Sequence, residues 1–258
     1  MKITVLTENT SAREDIAAEH GLSLFIEACG HNILFDMGQT DIFAENAKKL
    51  NVDLSRADIA VLSHGHYDHG GGLARFFELN DTAPVYASRL VFGEHYNGAI
   101  KYIGLDKKLE GSTRFVFTDR VTRLAEGITL YPAESVHKIY PELPNELSKK
   151  QGEALVSDDF MHEQYLLIEE NGKRVLISGC SHRGVLNIAA AFKPDILVGG
   201  FHFSKLALDK TLENYARTLG TVQTEFYTCH CTGTAQFEFV SLHAKNVKYL
   251  SAGMTAEL

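Results

Sequence analysis

Apolar and polar positions alternate over residues 2–6, the pattern of a strand that turns one face to a core, and residues 22–28 and 31–35 read as two more strands. Gly30 separates the last two and predicts a tight turn between them. Over residues 42–50 the apolar spacing becomes helical. A short apolar run at 58–62 stops at Ser63, and residues 72–79, with Leu73, Phe76 and Phe77, begin a helix. Residues 84–87 predict one more strand. In the second half, strands at 164–169 and 174–178 pair across Asn171-Gly172, a dipeptide suited to the positive φ angles of a hairpin turn. A helix at 184–192, a buried strand at 195–198, an amphipathic helix at 206–219, a strand at 225–228, a helix at 235–243 and a strand at 247–250 follow. Residues 88–150 carry the weakest pattern. The stretch 134–159, with Pro141, Pro144 and many charges, reads as a long surface loop or lid.

A meander of strands comes first, and strands then alternate with helices, in two halves of similar order with no repeat at a fixed period. That order suits two sheets packed face to face with helices outside. At 258 residues and 45% apolar composition, one domain spanning 1–258 accommodates this, with 88–160 as an insertion capping an active site. A net charge of −8 speaks against a nucleic-acid partner, which requires a basic footprint, but leaves room for a local basic pocket. The opening residues lack the apolar core and cleavage site of a secretory signal, and no apolar run is long enough to span a membrane. The spacing of Cys29, Cys180, Cys229 and Cys231 suggests no disulfide framework, so a reducing cytoplasm is the expected compartment.

The candidate chemistry begins where the run at 58–62 ends. Ser63-His64-Gly65-His66-Tyr67-Asp68-His69-Gly70-Gly71-Gly72-Leu73 puts three histidines and an aspartate within six residues. Imidazole is the common neutral ligand for zinc and also suits iron and manganese, while the aspartate adds a hard oxygen. On a loop at a strand end, His64 and His66 can face one way and Asp68 with His69 another, which serves two ions better than one. A solvated histidine-rich tract is the plainer alternative. The preceding apolar strand, the embedded carboxylate and the glycine-rich helix start weigh against it.

His-x-His-x-Asp-His at a strand end resembles the signature of the metallo-β-lactamase superfamily, and Phe35-Asp36-Met37-Gly38 resembles its Phe-Asp-x-Gly turn. The chain looks most like one branch, the group named for 7,8-dihydropterin-6-methyl-4-(β-D-ribofuranosyl)aminobenzene-5'-phosphate synthase. The shared residues are Glu8-Asn9, Gly21-Leu22-Ser23, residues 63–73, Gly179-Cys180-Ser181-His182, Gly199-Gly200-Phe201-His202 and His230-Cys231-Thr232-Gly233. The likeness covers nearly the whole chain and is weakest at 88–160. It implies an α+β fold, the αββα sandwich of two mixed sheets with helices outside, and two divalent metal ions, zinc first with iron or manganese as alternatives.

In that superfamily later strand ends add a histidine, a bridging aspartate and a last histidine. Here Cys180 stands where the aspartate is expected, as a thiolate ligand or as a small buried residue, with equal weight on each. His182 is preferred to its rival His162, and His230 resembles the last histidine. The expected metal set is His64, His66, Asp68, His69, His182 and His230. If Cys229 and Cys231 flank His230 in a strand, alternation sends them away from it into the core. Asp68 is expected to orient a nucleophile, and His202 to stabilise an oxyanion or protonate a leaving group, with a packed loop histidine as the alternative. His95 and His137 are expected at the surface or in the pocket, and His20, His31 and His243 outside the site. Tyr67, Phe92, Tyr96 and Tyr102 are pocket-lining or core residues. Lys101, Lys107, Lys108 and Arg114 either meet a phosphate or are solvated.

The activity this implies is metal-dependent hydrolysis of a small phosphorylated or ester substrate. The branch itself implies an alternative, a synthase in which the ions activate a pyrophosphate leaving group. A non-catalytic metal- or ligand-binding protein is a third reading, kept open by Cys180. A redox di-iron centre is disfavoured, because such proteins carry a glutamate where His66 stands.

Overall fold

A computed structural model of the chain describes residues 1–141 and 143–258. Two seven-stranded sheets form its frame. In spatial order the first runs Thr255–Glu257, Lys2–Thr7, Ser23–Ala28, His31–Phe35, Ile59–Val61, Val85–Ser88 and Phe115–Thr118. Its first four strands are antiparallel, and from His31–Phe35 onward the pairing is parallel. The second runs Val247–Tyr249, Glu225–Thr228, Ile196–Val198, Lys173–Ile177, Gln164–Glu170, Ile128–Pro132 and Thr122–Ala125, the first four parallel and the rest antiparallel.

The alternation of side chains creates three apolar layers. Ile3, Val5, Leu24, Ile26, Ile33 and Phe35 of the first sheet meet Leu130, Leu166, Ile168, Val175, Ile177 and Val198 of the second in a central core. The intervening residues Phe25, Leu34, Ala60 and Leu62 face the other way, under Phe43, Ala47, Leu73 and Phe76 of helices Ile42–Lys49 and Leu73–Leu79. On the opposite side Leu167, Leu176, Leu197 and Phe226 pack against helices Val185–Phe192 and Lys210–Leu219. The result is the expected αββα sandwich.

Some elements differ from the sequence pattern. The helix expected from residue 206 begins at Lys210, because Asp209 caps it by accepting the Thr211 and Leu212 N–H groups at 2.9 and 3.2 Å. Within the stretch read as a loop or lid, Leu147–Gln151 and Ala154–Ser157 form a hairpin. With His95–Asn97 and Lys101–Tyr102 they make a third, four-stranded sheet. Leu147–Gln151 has a single buried apolar residue and Ala154–Ser157 is mostly exposed with apolar residues on both faces, so neither leaves a period-two signal. Strands Phe115–Thr118, Thr122–Ala125, Ile128–Pro132 and Thr255–Glu257 also lie outside the elements expected. Among the described residues no helix is long and apolar enough to cross a membrane.

Parallel pairing is what gathers the chemistry. It directs the carboxyl ends of His31–Phe35, Ile59–Val61, Lys173–Ile177, Ile196–Val198 and Glu225–Thr228 into Asp36, Ser63, Ser178, Gly199 and Cys229, the starts of the loops that carry the candidate ligands. Replacing the fully buried Ile26 by alanine should cost about 2–5 kcal/mol of stability by leaving a cavity between the sheets. Urea denaturation measures this, and metal content of the folded protein should be unchanged.

Candidate metal centre

The site is built up from Asp36. It is fully buried in a left-handed conformation, φ +58°, directly after a strand. Its Oδ1 accepts the Ser63 N–H at 2.7 Å, and its Oδ2 accepts the Ser63 hydroxyl at 2.7 Å and the His69 Nδ1–H at 2.6 Å. Because Ser63 Oγ spends its proton on Asp36, it accepts from His64 Nδ1 at 2.8 Å. Both imidazoles are thereby held with Nδ1 protonated and Nε2 bare. His230 is held the same way, with Nδ1 2.7 Å from Asn9 Oδ1. A second hydrogen bond that fixes tautomer and ring orientation is the usual support of a metal-binding histidine.

The bare nitrogens converge. Donor atoms of His64, His66 and His182 lie within 4.8 Å of one another, and those of His64, His69 and Cys180 form an adjoining group. His69 Nε2 is 3.2 Å from both Cys180 Sγ and His230 Nε2, and His230 Nε2 is 3.4 Å from Asp68 Oδ2. His64 Nε2, His66 Nε2 and both ring nitrogens of His182 are buried without any hydrogen-bond partner. So many unpaired buried acceptors are costly unless something electron-poor sits among them. The mixed nitrogen, oxygen and sulfur set fits divalent cations of the zinc, iron and manganese group.

Glycines let these groups meet. A Cβ on Gly65 would stand 2.2 Å from the Val91 carbonyl oxygen, and one on Gly179 would stand 2.2 Å from Ser63 Oγ.

Burial holds the pKa values of His64, His66 and His182 well below 6.5 and pushes those of His202 and His230 down to about 4. Burial also opposes charge on His69, but Asp36 and Asp68 outweigh it and raise its pKa. Burial opposes the Asp68 carboxylate as well, yet His69 and the hydrogen bond from His20 hold it well below the usual range. Burial, then the neighbouring Cys231, pushes the Cys180 thiol well up, so a thiolate there needs a cation beside it.

The structure brings together all six expected metal residues and sets Cys180 among them. The rival His162 falls in a further donor group, with His66, His95 and Asp158. His162 Nδ1 accepts the Gly65 N–H at 2.9 Å, so its proton sits on Nε2, 3.3 Å from Asp158 Oδ2. An imidazole committed on both sides has no lone pair left for an ion. His182 instead stacks on Phe160, ring centroids 4.4 Å apart, and its backbone N–H donates to the buried Glu163 at 2.8 Å. His202 borders the site, its ring 4.5 Å from that of His182.

Three expectations need correcting. His20 belongs to the site, with Nε2 3.1 Å from Asp68 Oδ2; it follows no regular element, so nothing in the pattern marked it. His95 is buried against Asp158, with Nδ1 2.8 Å from Oδ2, inside the small sheet that the pattern missed. Cys229 is in the core, but Cys231 groups with Cys180 and His230, because the strand ends at Thr228 and His230–Thr232 is a 3-10 turn to which strand alternation does not apply.

A cavity of about 260 Å³ opens onto these groups, with His20, His66, Asp68, Cys180, His182 and His202 in its lining. Ile103, Leu147 and Leu206 add apolar surface, and Lys101 and Lys205 add two cations. Tyr67 also lines it, whereas Phe92 lies in the core and Tyr96 and Tyr102 pack on each other. Arg114 is occupied with the Asn80 and Ala83 carbonyls, and Lys107 pairs with Glu94.

Fold and donor set together are those of a metal-binding αββα protein, and the chain belongs to the Metallo-beta-lactamase superfamily, whose sequence pattern matches residues 17–218. It is 29% identical to the 7,8-dihydropterin-6-methyl-4-(beta-D-ribofuranosyl)-aminobenzene-5'-phosphate synthase of Methanocaldococcus jannaschii, in an alignment covering 98% of this chain and 95% of that one. The crystal structure of Tm1679, described as a metal-dependent hydrolase of the beta-lactamase superfamily, superposes with a TM-score of 0.84 at 29% identity, covering 100% of this chain and 99% of that one. Zinc-bound PqqB from Methylobacterium extorquens shares the fold alone, with a TM-score of 0.63 at 12% identity over the full length of both chains.

Two outcomes follow from this geometry. Asp36→Asn should weaken metal binding about 10–100-fold, read by competition with a chromogenic chelator, because His69 and Ser63 lose their charged acceptor. The metal-free chain should lose stability as pH falls below 6.5. There the unfolded histidines take up protons that buried His64, His66, His182, His202 and His230 refuse, for up to about 1.4 kcal/mol per pH unit per group. His69 alone of this set works in the opposite sense, since its raised pKa stabilises the fold at low pH and that contribution is lost as pH rises. Thermal unfolding in chelator between about pH 8 and about pH 5 measures the balance, and a flat profile would contradict it.

Proposed function

We propose that this chain is a hydrolase that carries two divalent ions, zinc first, and acts on a small phosphorylated or ester substrate. The observation that carries this reading is the pair of adjoining donor groups facing a cavity with two lysines in its lining. His64, His66 and His182 would hold one ion, and Asp68, His69 and His230, with Cys180, the other. When bound, the ions supply Lewis acidity at a substrate oxygen and lower the pKa of coordinated water.

The remaining chemistry belongs to the chain. Asp68, kept ionised, orients the attacking group. His202, neutral above about pH 4, offers its N–H to charge developing on a substrate oxygen instead of acting as a charged acid. Lys101, held 3.2 Å from the Tyr67 hydroxyl, and Lys205 attract an anionic group into the cavity of a chain whose net charge is −8. Residues 1–258 act as one unit in this reading, with 88–160 as its cap, since Asn97, Lys101, Ile103 and Leu147 line the cavity. The partner is a small molecule, not a nucleic acid or a membrane, and the compartment is the cytoplasm.

A second reading is supported by the likeness to the synthase across 98% of the chain. In it the same residues would activate a pyrophosphate leaving group, and the lysines would meet its phosphates.

Metal analysis with His66→Ala and Asp68→Ala is the test. About two ions per chain in the wild type, a loss in each variant, and at least a ~100-fold fall in turnover of phosphoester, lactone or thioester substrates are expected. Turnover only with a pterin pyrophosphate and an aminobenzene acceptor would move the synthase ahead. Undiminished activity in metal-replete variants would overturn both readings.

A further inference from the structure

Resting on the metal-centre reading, we infer that Asn9 and His20 are positioning residues for the ion at Asp68, with one side-chain amide setting opposite tautomers on His20 and His230. Asn9 Oδ1 lies 2.7 Å from His230 Nδ1. A carbonyl oxygen only accepts, so His230 carries its proton on Nδ1 and presents a bare Nε2 to His69 Nε2 at 3.2 Å and Asp68 Oδ2 at 3.4 Å. The other end of the same amide, Asn9 Nδ2, lies 3.1 Å from His20 Nδ1. An NH2 group only donates, so His20 Nδ1 is bare and the proton of the neutral ring is on Nε2. That Nε2 is 3.1 Å from Asp68 Oδ2 and donates to it.

The amide cannot turn over without penalty. The Gly21 N–H donates to Asn9 Oδ1 at 3.4 Å, so the reversed amide would set its NH2 group against both this N–H and the protonated His230. The segment around His20 is pinned to the same carboxylate residue, since the Leu22 N–H donates to the Asp68 carbonyl at 3.1 Å. A Cβ on Gly21 would stand 2.7 Å from that oxygen. His20 packs near His230, ring centroids 4.9 Å apart, and its side chain is 53% exposed while that of Asp68 is 12% exposed. It therefore covers the solvent side of a carboxylate whose other neighbour is His230. Its hydrogen bond fixes the rotation of Asp68 and draws charge from the oxygen that would meet the ion, leaving that ion more electrophilic.

The test is ¹⁵N NMR of the histidine rings in zinc-loaded protein at about pH 8, where a free imidazole is neutral. Wild type should show His20 protonated on Nε2 and His230 on Nδ1. Asn9→Asp keeps an acceptor for His230 but removes the donor to His20, so His20 should change to the Nδ1-protonated form and the more weakly held ion should bind about 10–100-fold less tightly. His20→Ala should weaken that ion similarly, and His20→Gln, which retains an N–H donor, should recover part of the loss. His20 protonated on Nδ1 in loaded wild type, or unchanged ion affinity in His20→Ala, would overturn this inference alone. A chain that takes up no zinc would remove the metal-centre reading and this inference with it.

Discussion

The carboxylate of Asp36 is the acceptor from which the ligand loop hangs. It takes hydrogen bonds from the Ser63 main chain, the Ser63 hydroxyl and His69, and through Ser63 it orients His64. One ligand of each donor group thus depends on it. A buried carboxylate is tolerable only when its lone pairs are satisfied, and removing the partner of a buried ion pair typically costs about 3–5 kcal/mol. Asp36 is itself locked, since its N–H donates to the Val61 carbonyl at 2.9 Å and its carbonyl accepts the Ser23 hydroxyl at 2.8 Å. The left-handed turn after the third strand is therefore part of the site, although no ion would touch it.

Two further buried carboxylates repeat this logic on neighbouring loops. Glu163 accepts the backbone N–H groups of His182 and Arg183 at 2.8 and 3.2 Å and the Tyr165 hydroxyl at 2.6 Å, which holds His182 beside His64 and His66. Burial still raises its pKa despite these donors. Asp158 receives His95 and His162, and His162 in turn holds the Gly65 N–H between the two ligands on either side of it. Three acidic residues, none of them expected to bind metal, thus set the backbone of the two stretches that carry His64, His66 and His182.

The consequence is a centre whose bare nitrogens are prepared before any ion arrives. Burial keeps most of the imidazoles neutral, which is the ligating form, and hydrogen bonds on their far side choose the tautomer. Cys180 is the exception, because its thiol gives up a proton only against a cation. An acidic chain can still receive an anion here, since the cavity lining carries Lys101 and Lys205 beside the metal residues.

Local order was legible in the sequence wherever one face of an element is buried. Alternation in residues 2–6, the Asn171-Gly172 turn and the apolar run before Ser63 encode strands directly, and His64, His66, Asp68 and His69 share one short segment, its end in the helical turn Tyr67–Gly70, whose spacing can be read without a fold. The small sheet at 95–102 and 147–157 was not legible, because strands that cover a cavity instead of a core need no apolar face. Where His182 and His162 lie relative to His64 and His66, the approach of His20 and Cys231 to His230, and the contact of His95 with Asp158 were decisions of the tertiary structure. Each depends on contacts between strand ends and loops far apart in the chain, such as His230 with Asn9 or Gly65 with His162, and periodicity carries no information about such distances. What the sequence determined by itself is the fold class and the ligand loop; which other groups face that loop was decided by parallel pairing, which delivers distant strand ends to one edge of the sandwich.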